Sequence, residues 1–309
     1  MLGLGAATWV PPMPSLSNLA SSICALLTIP LAACAAQLAD WPEHYEIAEK
    51  TASPNGRYAI LAPTVDAELK SDDATNFLVD AKTHQILGKI LKSDHQIGRN
   101  RSGVRADWRA DSALCVVQFD SRYGFASAAV LALKGETFQQ FDVGAKIKEV
   151  LATTMYKKKT EGTAPGLASQ YGPDGKIRFR AWADNDPKRN STSPIAGLFW
   201  GAFDTATGKW LAAAAKRVDI ETVDDAFVAY GPGDPEYASY GAENKAESIE
   251  HELNSAYRVL KAMLPATEFA ALKKEQLAWL KKREAPMTDD AHTKMTEERV
   301  KGLKARLWE

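Results

Sequence analysis

Three runs near the C-terminus decide how the chain divides: ELNSAYRVLKAML at 252–264, PATEFAALKKEQLAWLKKREAP at 265–286 and MTEERVKGL at 295–303. In the first, Leu253, Tyr257, Leu260 and Leu264 recur at i, i+4, i+7 and i+11, one face of an α-helix. Pro265 breaks that helix. In the second run Leu272, Gln276, Trp279 and Arg283 fall at the same spacing, with Phe269 and Leu280 flanking. Three of these positions sit where a core should be, yet two of them are polar. Pro286 disfavours helical geometry at Ala285, so the second helix ends there. A third begins near Thr288 or Asp289, whose side chains can cap it, and Met295, Val300, Leu303 and Leu307 supply its apolar stripe. The expectation is a small three-helix unit over 242–309.

Upstream the periodicity changes. The run YGPGDPEYASYG, at 230–241, is dominated by glycine, proline and tyrosine, as in a linker or an ordered loop. A domain boundary is placed there, with the tyrosines pinning the linker to one side. Before it, short apolar or alternating runs are bounded by turn residues: RYAILAP, NFLVD, QILGKIL, VRADW, ALCVVQF, SAAVLAL and TFQQFDV. These predict an antiparallel β domain over 40–235. It is interrupted by one helix near 145–156, where Ile147, Val150, Leu151 and Met155 keep helical spacing.

The β region also echoes itself. Gly172-Pro173-Asp174-Gly175 before KIRFRAW repeats Ser53-Pro54-Asn55-Gly56 before RYAILAP, and FDTATGKWL repeats VDAKTHQIL at about the same offset. The hairpins resemble those of β-propeller blades, but too few strands are readable for a closed propeller. The fold class is therefore α+β: a sheet or sandwich of propeller-like hairpins followed by a three-helix unit.

The N-terminus reads as a targeting segment. No Lys or Arg occurs in the first 49 residues, and 19–36 are mostly small and apolar. This fits a signal peptide over 1–36, although the usual basic start is missing. Leu31-Ala32-Ala33-Cys34 resembles a bacterial lipobox, which makes Cys34 a lipidation candidate; ordinary cleavage near Ala35 or Ala36 is the rival, and a buried apolar helix is the reading without export. The protein is thus expected to be periplasmic or a membrane-anchored lipoprotein, touching membrane only through a lipid on Cys34.

Composition narrows the functions. With 38 Lys+Arg against 39 Asp+Glu the chain lacks the basic surplus of a general nucleic-acid binder. No phosphate-binding glycine loop, nucleophile elbow or paired-histidine metal motif occurs. The five histidines are scattered as surface or turn residues, and Cys115 sits in an apolar run as an inert buried thiol. No catalytic residues, metal ligands or cofactor are expected.

The ordering L-N-x-x-Y-x-x-L, then Q-x-x-W-x-x-x-R, then M-T-x-x-R-x-x-x-L resembles the LprI-like lysozyme inhibitor domain of exported bacterial proteins. The matching residues are Leu253, Asn254, Tyr257 and Leu260, then Gln276, Trp279 and Arg283, then Met295, Thr296, Arg299 and Leu303. The resemblance covers roughly the last fifth of the chain. It implies a non-enzymatic envelope protein that binds or inhibits lysozyme or another peptidoglycan hydrolase. The rival readings are an interaction scaffold without inhibitory activity and, third, an envelope hydrolase with dispersed site residues. Family members carry cysteines after the second helix and before the third; here Ala285-Pro286 stands instead and no cysteine follows Cys115. A helical unit this small seldom supplies enough core alone, so it is expected to pack on the β domain. Within it, Asn254, Tyr257, Gln276, Trp279, Arg283 and Arg299 are the motif residues, with either structural or binding roles; Glu252, Glu250 or an acid of the third helix is a partner for Arg283.

Overall fold

The computed structural model describes residues 41–67, 69, 74–93, 95–99, 102–122, 124–156, 165–186, 191–231, 245–286 and 288–309. The expected signal segment with Cys34, and most of the tyrosine-rich linker, lie outside these.

Among the described residues, twelve strands form three four-stranded antiparallel sheets, each a meander in chain order. Sheet 1 contains β1 (Tyr45–Ile47), β2 (Tyr58–Pro63), β3 (Asn76–Asp80) and β4 (Gln85–Ile90). Sheet 2 contains β5 (Gly103–Trp108), β6 (Leu114–Ser121), β7 (Gly124–Lys134) and β8 (Thr137–Asp142). Helix α1 (Gly144–Tyr156) follows, then sheet 3 with β9 (Gly166–Tyr171), β10 (Lys176–Asp184), β11 (Ala196–Asp204) and β12 (Lys209–Val218). Among the described residues four α-helices follow: α2 (Ile220–Tyr230), α3 (Lys245–Met263), α4 (Ala266–Arg283) and α5 (Asp289–Arg306). The fold is α+β as expected, with strands that the sequence left unread (β1, β9 and β11) completing each meander.

Alternation along the strands explains the stacking, because successive side chains point to opposite faces. In β6, Cys115, Val117 and Phe119 join Ile60, Leu78 and Ile90 of sheet 1, whereas Val116 joins Ile177, Phe179 and Phe199 of sheet 3. Helix α1 inserts Ile147, Leu151 and Met155 into that second core. In β10 the face opposite Phe179 carries Trp182, which belongs to the core shared with the helices. Each central sheet is thus buried on both sides.

The echo noticed in the sequence has a third member. Asn55, Asp111 and Asp174 each accept the backbone N–H two residues on with their Oδ1. The residue after each sits at positive φ: Gly56 at 65°, Ser112 at 60° and Gly175 at 74°. Sheet 2 hides its copy because a serine occupies the glycine position, an unusual conformation for a residue with a Cβ.

Helix α2 was not anticipated. It runs to Tyr230, into the stretch read as linker, and buries Val223, Ala226, Ala229 and Tyr230. The division into domains over 40–235 and 242–309 remains a proposal. One apolar core nevertheless joins Trp182, Ala196 and Leu198 of sheet 3 to α2 and to Leu253, Ala256, Leu260, Leu272, Val300 and Leu303 of α3–α5. No helix among the described residues is long and apolar enough to cross a membrane.

Candidate functional site

The helical end was assembled as the sequence pattern dictates. Thr288 caps α5, its Oγ1 accepting the Ala291 N–H at 3.3 Å. Asp289 and Asp290 lie in the first turn, where the helix dipole favours acids. Pro265 is the N-cap of α4. Helix α3 buries Leu253 and Leu260 as read, and Tyr257 packs against Phe269 with ring centroids 5.6 Å apart.

The motif residues divide into two groups and one outlier. Arg299 of α5 donates Nε–H to Gln276 Oε1 of α4 at 2.8 Å, and its Nη1 lies 4.0 Å from Glu275. Gln276 is buried, which explains a polar residue at a core position: it receives a cation that crosses between helices. Burial holds the Arg299 guanidinium below its usual range, with Glu275 opposing that shift. The Arg299 Nη2 atom is buried and meets no described acceptor. In the second group, Arg283 donates to Glu250 of α3 and lies over the Trp279 ring, 4.9 Å from its centroid. Trp279 is half-buried and packed against the shared core. Burial pushes the Tyr257 hydroxyl up, and the charge of Arg299 partly opposes that shift. Asn254 faces solvent apart from the rest.

Two further polar anchors, unread in the sequence, tie α2 to α3 and sheet 3 to the end of α5. Buried Asp225 of α2 accepts Ser255 Oγ at 2.9 Å and a bidentate fork from Arg258 at 2.6 Å. Arg180 of β10 is buried, donates to the Leu307 carbonyl at 2.7 Å and lies over Trp308. It thus places a cation at the C-terminus of α5, where unpaired carbonyls collect. Tyr230 stacks on Trp182 at 5.9 Å and meets Trp308 edge-on at 5.6 Å. Sequence spacing carries no signal for either anchor, because partners such as Arg180 and Leu307 are 127 residues apart.

Other candidates resolve into structure. Cys115 is fully buried and burial pushes its thiol up, so it is poorly suited to nucleophilic work. His95 is a correction: it is buried, not a surface residue, with Nδ1 2.9 Å from Ser102 Oγ and its backbone tied to Asn76. Asp184 and Asp186 accept backbone N–H groups in their own loop. Among the described residues no group of His, Cys, Asp and Glu is arranged to hold a metal ion.

Among the described residues, the polar motif residues of the helical unit are mostly paired within the unit. None of the curated proteins matches this chain. Residues 236–303 match the family model described as lysozyme inhibitor LprI, a match that takes in α3, α4 and most of α5 and leaves all twelve strands outside.

Proposed function

We propose that the protein is an exported, non-enzymatic component of a bacterial cell envelope that binds a peptidoglycan-cleaving hydrolase such as lysozyme and inhibits it. The observation that carries this reading is the LprI match over 236–303, on helices with the spacing the motif requires. Export is supported by the small, apolar run at 19–36, although the usual basic start is missing, with Cys34 as the lipidation candidate or cleavage near Ala35 or Ala36. The β domain then serves as the platform to which the cysteine-free helical domain is docked, in place of a disulfide. A purified chain lacking residues 1–36 should slow the clearing of a cell-wall suspension by lysozyme in a dose-dependent way. Unchanged clearing with several peptidoglycan hydrolases at large molar excess of the protein would remove this reading.

A second reading is a scaffold in which the helices only brace the sheets. It is favoured by the internal use of Gln276, Arg283 and Arg299. The same clearing assay separates the two.

A further inference from the structure

Gln276, Arg283 and Arg299 are committed to partners within the helical unit, so a partner protein is met chiefly by other side chains. Helix α4 is the least buried of the three: Leu272 and Gln276 are its only buried residues. Its outward side carries Ala270, Lys273, Lys274, Leu277, Ala278 and Lys281, which together line one shallow, open hollow. Two properties distinguish this stripe from an ordinary solvated face. Leu277 is 52% exposed and is the exposed large aliphatic of α3–α5, whereas the other large apolar groups of these helices are at least half-covered. The cations differ as well. Lys245, Arg258, Arg283, Arg299, Lys304 and Arg306 all meet carboxylates; of the lysines on these helices with no described carboxylate partner, Lys273, Lys274 and Lys281 are the ones that gather around Leu277 and line the hollow.

We infer that the Lys273–Lys274–Leu277–Lys281 stripe of α4 is the surface that meets the hydrolase, seated on its acidic substrate cleft. This rests on the hydrolase-binding reading above. Charge complementarity selects the cleft. Retaining glycoside hydrolases, lysozyme among them, hold two catalytic carboxyl groups about 5–5.5 Å apart. Lys274 and Lys281 are two turns apart, about 10 Å along the helix at 1.5 Å per residue. Their flexible ammonium groups reach inward across that span, so one can approach each carboxylate. Leu277 lies between them and supplies an apolar anchor for the desolvated centre of the contact. Unpaired lysines suit this role because they lose no internal partner on binding.

The test uses the chain lacking residues 1–36, immobilised, with purified lysozyme as the probe. Two variants are compared with it after circular dichroism confirms their fold: Lys273→Glu/Lys274→Glu/Lys281→Glu, and Leu277→Asp. A control places Lys89→Glu/Lys209→Glu on sheet strands. The stripe variants should bind at least roughly tenfold more weakly, and the unaltered chain alone should weaken steeply with added salt. The control should bind normally. Lysozyme binding that is equal in all four proteins overturns the stripe and leaves the functional reading standing. Loss of binding to anionic phospholipid vesicles with lysozyme binding retained also overturns it, in favour of a membrane-facing role. No binding by the unaltered chain to lysozyme or to other purified peptidoglycan hydrolases removes the functional reading and the stripe together.

Discussion

The sheets and the terminal helices are held together by different means. In the sheet stack, alternation sends every second side chain into one of two cores, and large residues such as Phe119 and Phe179 are almost fully enclosed. In the helical end, α4 and α5 bury few residues each, and polar crosslinks do much of the positioning. The stack is specified by apolar shape; the helices are specified by paired charges around a narrower apolar strip, continuous with sheet 3. Such a layer can leave one helix face uncommitted, which a sheet buried on both sides cannot.

The comparison can be broken at several points. Replacing Phe179, enclosed between sheets 2 and 3, by alanine should cost about 3–5 kcal/mol in urea unfolding. Because one core runs from sheet 3 into the helices, circular dichroism and tryptophan fluorescence should report a single coincident transition; two separated transitions would show the helices folding apart from the stack. Asp225→Ala should cost less, about 2 kcal/mol. It strips buried Ser255 of its acceptor, but half-exposed Arg258 regains water. Gln276→Ala should cost on the order of 1 kcal/mol, measured the same way, by removing the acceptor of Arg299 Nε.

The smallest effect concerns the seam between sheets 2 and 3, where Ser169 Oγ donates to Asp107 Oδ2 at 2.5 Å. Desolvation raises the Asp107 carboxyl even though the residue as a whole is exposed, and the Ser169 hydrogen bond only partly opposes it. A raised acid favours folding when protonated. Its contribution is complete below the unfolded carboxyl value of about 3.9 and is lost as pH rises through the folded value. Wild type should therefore gain stability relative to Asp107→Asn as pH falls from 7 toward 4. A flat difference across that range would show the seam to be fully hydrated.

Much of this architecture was legible from local signals. Helical spacing placed α3–α5, with Pro265 and Thr288 at their starts, and turn chemistry exposed the repeat between sheets 1 and 3. What local pattern could not carry was long-range pairing. The third repeat was masked by Ser112, which adopts a glycine-like conformation without looking like one. Helix α2 was hidden because its end runs into a glycine- and proline-rich stretch. At the candidate site, the motif spacing put Gln276, Trp279 and Arg283 on one face, and Glu250 was among the partners open to Arg283. That Gln276 receives Arg299, and that the uncommitted face is the lysine stripe around Leu277, required the three helices in place.

The central claim is that hydrolase binding belongs to the helical end and not to the sheets. Hydrogen–deuterium exchange of the purified chain, with and without excess lysozyme, tests it most directly. The account predicts added protection within Lys245–Met263, Ala266–Arg283 and Asp289–Arg306, greatest in α4, and unchanged exchange in the twelve strands. Protection confined to the strands, or none anywhere at saturating lysozyme, would contradict it.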